Sequence, residues 1–182
     1  MGPEYEAPPK GDEAYFDETT NRVFDTTLLN EPLALLPTRS PLIFGGRDPV
    51  SAAMNAMQMQ HRGCVLITED GTNASALIGI FTERDVLNRV IGQGRNPALI
   101  QLSEVMHEDP ESLPTTASVA WVLNKMSVGG FRHVPVVDPD GRLAFVISVR
   151  DVVQFLVDHF PSEVLNLPPD FETPGFRARE GA

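Results

Sequence analysis

Cys64 is the only cysteine in the chain. No disulfide can form within it, and no cysteine-based zinc cluster can be built. That usage suits a reducing compartment, and a cytoplasmic protein is expected. Basic residues are also scarce: 14 lysines and arginines stand against 25 aspartates and glutamates, for a net charge of -11. A surface this acidic argues against a nucleic-acid partner. It leaves room for a nucleotide, because a few local arginines hold a phosphate against the global field. No apolar run approaches the roughly 18 residues of a membrane helix, so no membrane association is expected. Met1 to Thr20 is acidic and proline-containing without an apolar stretch, and is not read as a secretory signal. Hydrophobic residues nevertheless make up 42% of the chain, enough for a packed core.

Residues 1–20 carry Pro3, Pro8 and Pro9 among scattered acids and read as a flexible acidic tail. Residues 21–36 contain Val23, Phe24, Leu28, Leu29, Leu33, Leu35 and Leu36, which fit a short helix or an extended arm on the core. After Phe160, Pro161, Pro168, Pro169 and Pro174 break any long element, so residues 161–182 read as a second tail.

Between the tails lies an internal repeat. Val50, Ala53, Met54 and Met57 recur at helical spacing, as do Val119, Val122, Leu123 and Met126, at an offset of 69 residues. Asp48 and Pro49 predict a capped start for the first helix, and Thr115 or Thr116 for the second. Gly63 and Gly129-Gly130 mark their ends. The β-rich runs Cys64 to Ile67 and His133 to Val137 follow at the same offset, then polar turns at Asp70-Gly71 and Asp138 to Gly141. The first turn is longer by three residues, and beyond it the offset is 66. There Ala76 to Phe81 matches Arg142 to Ile147, and Val86, Leu87, Val90 and Ile91 match Val152, Val153, Leu156 and Val157. Extended segments at Pro41 to Phe44 and Glu111 to Pro114 precede the units. The expected fold is α+β: two β-α-β-β-α units, residues 37–96 and 97–160, packed about a pseudo-twofold axis.

Thr82-Glu83-Arg84-Asp85 and Ser148-Val149-Arg150-Asp151 join the last strand of each unit to its last helix. One reading is a capping box, the hydroxyl accepting from the helix amides and the acid completing the pair. The other is a ligand site. Free amides and the helix dipole suit an anion. An acid three residues on accepts from ribose hydroxyls, while Arg84 and Arg150 reach a phosphate.

The whole pattern resembles the CBS domain, whose tandem pair forms a Bateman module. The resemblance covers about residues 37–160. It rests on Val105-Met106 before a proline-containing segment, on Gly130 to Asp138, and on the Thr82/Asp85 and Ser148/Asp151 pairs. It implies a regulatory sensor, not an enzyme, that binds AMP, ADP, ATP or S-adenosylmethionine in two clefts and carries no other cofactor. It implies ribose contacts from Asp85 and Asp151, and hydroxyl contacts from Thr82 and Ser148. Adenine would meet Leu42 and Ile43 in the first copy, and Ser112, Leu113 and Pro114 in the second. Cys64 and Val65, and Arg132, His133, Val134 and Pro135, would stand at the strand starts beside the ligand. A homodimer and a regulated partner protein are further implications. A ligand-free oligomerisation module is the alternative.

Two departures bear on the site. Position 79 is Gly but its match is Phe145, which is expected to narrow the second cleft. The first copy has Gly63-Cys64 where the second has Arg132-His133, with His61 and Arg62 just before. Unequal sites are expected, the second favoured for phosphate. Cys64 and His61 lack a third orienting group, so Cys64 reads as core and not as a nucleophile.

Overall fold

The computed structural model describes residues 26–160. The tails at 1–20 and 161–182, and the start of the arm at 21–25, lie outside the described residues. The first unit runs β1 Ile43–Gly45, α1 Val50–Gln60, β2 Cys64–Thr68, β3 Leu77–Thr82 and α2 Glu83–Asp85. The connection adds a short strand, β4 His107–Glu108. The second unit runs β5 Leu113–Pro114, α3 Val119–Gly129, β6 His133–Val137, β7 Leu143–Ser148 and α4 Val149–His159. In both units the first strand lies parallel to the second, and the second and third form an antiparallel hairpin. Even the irregularities repeat. Each hairpin bulges at matching residues, Ile67/Thr68 and Val136/Val137. Each turn carries a left-handed glycine, Gly71 at φ 79 and Gly141 at φ 78. The α+β repeat is therefore as expected.

Three apolar layers result. Val50, Ala53, Met57, Val65, Ile67 and Phe81 fill the space between α1 and the first sheet. Val119, Val122, Val134, Ile147, Val152 and Phe155 do the same beneath α3 and α4. Cys64, Leu66, Ile80, Leu143 and Val146 join the two sheets face to face. Hence β2 is buried on both faces, which is why its sequence is a continuous apolar run. Ala76 pairs with its own repeat-mate Arg142 in an isolated antiparallel bridge, so the pseudo-twofold axis passes there.

Each unit also lends a segment to the other. β4 extends the first sheet beside β3, Ile80 facing His107, and Arg39 pairs with Val146 in the second sheet. Pro32 bridges Ser118 as Gln101 bridges Pro49, so the arm repeats the connection and the symmetry reaches upstream of residue 37.

Local starts differ from the sequence expectation. Pro49 and Ser118 occupy the N-cap positions of α1 and α3, and neither helix has a side-chain cap. Asp48 instead accepts from the Gly45 amide at 2.7 Å, which ties the end of β1 to the helix entry. The left-handed residue closing α1 is His61, φ 51, not Gly63; Gly130, φ 69, closes α3. The final helix of the first unit is also irregular. After α2 the chain makes a π turn, Val86–Val90, and a 3-10 turn, Ile91–Gln93. The position matching buried Phe155 holds Arg89. The π turn adds one residue, so Val90 reaches the core while Arg89 donates to the carbonyls of Val105 and Met106 at 3.1 and 2.6 Å.

Candidate functional site

Each copy of the hydroxyl–acid motif folds as a capping box. The Thr82 amide and hydroxyl both donate to Asp85 Oδ2, at 2.9 and 2.7 Å, and Thr82 Oγ1 accepts from the Asp85 amide at 3.4 Å. Ser148 and Asp151 repeat the arrangement at 2.7, 2.6 and 3.4 Å. Capping does not use up either carboxylate, because every contact goes to Oδ2. Asp85 Oδ1 lies 3.4 Å from Arg89 Nε. Asp151 Oδ1 has no such partner among the described residues.

Both boxes open on a cleft. Cleft 1, about 290 Å³, joins Thr82, Glu83, Arg84 and Asp85 to Gly130, Phe131, Arg132, His133 and Pro135 of the other repeat. Its far side comes from the connection: His107, Pro110 and Glu111. Cleft 2, about 440 Å³, joins Ser148, Val149, Arg150 and Asp151 to Arg39, Pro41, Leu42, His61, Arg62 and Cys64. Arg132 and His133 line both clefts, and so do Gly63 and Glu83. The sequence reading kept each motif with the strand start of its own copy. The structure joins each motif to strand-start residues of both copies, because the sheets pack face to face through Cys64, Leu66, Ile80, Leu143 and Val146.

Six of the sequence-selected residues line neither cleft: Ile43, Val65, Ser112, Leu113, Pro114 and Val134. Val65, Leu113 and Val134 point into the cores, and Ile43 packs on the layer between the sheets. For Val65 and Val134 strand alternation is the reason. Neighbours of a cleft-facing strand residue such as Cys64 or His133 face the opposite side. Phe145 does not narrow cleft 2. It packs against the second core, on the same face of β7 as Ile147. In the first copy Met106 fills the equivalent layer, and a Cβ on Gly79 would run into its Sδ. Glu83, Arg39 and His107 escaped the sequence reading. Glu83 is an interior position of the motif, and the other two sit on segments that cross to the opposite sheet.

The clefts differ in charge. Cleft 2 gathers Arg39, Arg62, Arg132 and Arg150 against two carboxylates, Glu83 and Asp151. None of those four arginines enters an ion pair among the described residues. Arg62 donates to the Ser40 carbonyl at 3.0 Å. Cleft 1 has two arginines, Arg84 and Arg132, against Glu83, Asp85 and Glu111, the last paired with Lys125. Burial pushes the Cys64 thiol up to about 12, so it stays protonated at neutral pH and is no nucleophile. Among the described residues no group of three or more His, Cys, Asp or Glu side chains could hold a metal, and no helix is long and apolar enough to cross a membrane.

Burial also lowers His133 below its ordinary value of 6.5, outweighing Glu83 and Asp151. A histidine held neutral by folding binds fewer protons than it does in the unfolded chain. Its stabilising effect is therefore present above the ordinary value and is lost as pH falls through that value. His133→Asn is expected to flatten the loss of stability between about pH 7.5 and 5.5, read from urea midpoints. An unchanged slope would mean that other groups set it.

A family model described as the CBS domain matches residues 34–92 and again 102–158. A mitochondrial CBS domain-containing protein of Arabidopsis thaliana is 30% identical over 122 residues, covering 66% of this chain and 58% of the relative. Another from the same plant is 31% identical over 105 residues, covering 58% of this chain and 18% of the relative. The chain thus spans less than two thirds of the length of either. Among solved structures, a CBS-domain containing protein of Agrobacterium tumefaciens aligns with a TM-score of 0.56 at 31% identity, over 64% of this chain and 89% of its own. A CBS domain protein of Pyrobaculum aerophilum, complexed with AMP, aligns with a TM-score of 0.61 at 22% identity, over 66% and 89%. The repeat, the shared clefts and the paired capping boxes thus accompany two matches to one domain model, and the chain belongs to the CBS-domain family as a tandem pair.

Proposed function

We propose that this protein is a regulatory module, not an enzyme, that binds an adenosine-type ligand with its phosphate end in cleft 2. The supporting observation is the set of four arginines there that have no ion-pair partner among the described residues, in a chain whose net charge is -11. Unpaired cations converging in a concave site are costly to gather unless an anion completes them. The start of α4 adds free amides and its dipole. The open Oδ1 of Asp151 is an acceptor for ribose hydroxyls. The Pyrobaculum neighbour's AMP supports the adenosine class. Cleft 1 has fewer cations and suits a ligand carrying less phosphate. A ligand would alter the angle between the repeats, and so a partner protein or the chain's own assembly, only as far as it prefers one arrangement. Exposed Leu87 and Ile91 in the first repeat, and exposed Val149 and Val153 on α4, form apolar stripes that fit a homodimer, with Leu87 and Val153 at matching positions of the two repeats.

Thermal shift against adenosine, AMP, ADP, ATP, S-adenosylmethionine and NAD tests this reading. The expected result is a rise in Tm of the phosphorylated adenosines over adenosine itself. Arg150→Gln should reduce it, and light scattering on the same samples reads the dimer. No shift with any of them would leave the ligand-free oligomerisation module as the better account.

A further inference from the structure

Gly63, Glu83, Arg132 and His133 line both clefts, so they form the wall between them. The wall is thin. A Cβ built on Gly63 would lie 2.8 Å from His133 Cε1 and 3.0 Å from its Nε2, with Glu83 Oε2 at 3.7 Å. The imidazole therefore rests on bare backbone, with a carboxylate beside it. Across this layer the only permanent cation is Arg132, and Glu83 offsets its charge.

We propose that the two clefts are negatively coupled through this wall, so that a phosphate-bearing ligand in one weakens the binding of a second in the other. The proposal rests on the ligand class argued above and adds its regulation. One guanidinium cannot complete the contacts of two phosphates on opposite sides. A wall whose fixed charges cancel cannot bridge two anions, so they repel through a poorly screening layer. Arg132 is long and exposed, and it turns to whichever cleft is filled. The protein then reports the ratio of two ligands, or one ligand over a wide range, instead of two independent occupancies.

AMP is the probe. Asp85→Asn and Asp151→Asn each disable one cleft while keeping an oxygen for the capping box, so calorimetry gives the affinity of each cleft alone. In the wild type the second AMP is expected to bind about fivefold or more weakly than to the same cleft standing alone. Glu83→Gln leaves the wall a net cation and should bring that ratio towards one, which a merely structural role would not do. Two single-cleft variants that each bind one AMP, with a wild type that also binds only one, would be the extreme form of the same coupling. A wild-type isotherm equal to the sum of the two variants would overturn the coupling and leave the ligand reading intact. Binding in only one of the two variants would do the same. No binding of AMP to any of the three proteins would remove the ligand reading and the coupling together.

Discussion

Leu33→Ala is expected to destabilise the protein by about 2–5 kcal/mol, in line with other fully buried leucines. Leu33 has no exposed surface and packs with Val119, Val122 and Phe155 under the helices of the second repeat, although it precedes the first in sequence. Its amide donates to the Ala117 carbonyl at 3.2 Å. The repeat-mate of Leu33 is Leu102, whose amide donates to the Asp48 carbonyl at 3.0 Å and whose side chain fills the first core. Each repeat's core is thus closed by a leucine from the segment that leads into the other. Against a total stability of about 5–15 kcal/mol, losing one such closure is a large fraction. Because the segments are exchanged, both repeats should lose stability in one transition with an unchanged denaturant slope. Leu35→Ala is the control, since that side chain is 57% exposed and should cost under about 0.5 kcal/mol. A Leu33→Ala midpoint equal to the control's would mean that the arm merely lies on the core. A split into two transitions would mean that the repeats fold apart.

The arm also marks where the sequence stopped being legible. The repeat was plain wherever local patterns carried it: helical spacing, apolar strand runs and turn glycines at offsets of 69 and then 66. Those patterns are set by contacts within a unit. Leu33 and Leu102 share the same offset, but no periodic run surrounds them, because each answers to a core assembled from the other end of the chain. The clefts show the same limit. Both motifs could be read as helix starts, and Asp85 and Asp151 as acids at them. That Thr82 would share a cleft with Arg132 follows from sheet-on-sheet packing, which no single segment encodes. The inward position of Val134 was legible, since an apolar neighbour of polar His133 points to the other side by alternation; Val65 sits in an apolar run buried on both faces, where no such contrast exists. The π turn after α2 is the remaining case. An arginine where the helix face needs a core residue is a visible conflict, but only packing shows that one added residue resolves it.

Asp151→Asn and Asp151→Ala are expected to separate capping from ligand binding at the better-charged cleft. Alanine removes the acceptor of both Ser148 contacts, so half of the box at α4 is lost, at about 0.5–2 kcal/mol. Asparagine keeps a carbonyl oxygen where Oδ2 stands, so both contacts survive. Its cost is then limited to the missing charge at the helix start, about 0.3–1 kcal/mol. The cleft-facing atom responds differently. In asparagine it becomes an amide nitrogen, which donates where Oδ1 would accept from ribose. Hydrogen bonds to a charged group are worth about 1.5–3 kcal/mol each, so affinity for an adenine nucleotide should fall about tenfold to a hundredfold. Asparagine thus predicts a protein near wild-type in melting temperature but weak in binding; alanine predicts one weak in both. Binding as tight as wild type in the asparagine variant would reduce the motif to a helix cap. Equal loss of stability in the two variants would mean that the negative charge, and not the hydrogen bonds to Ser148, holds the start of α4.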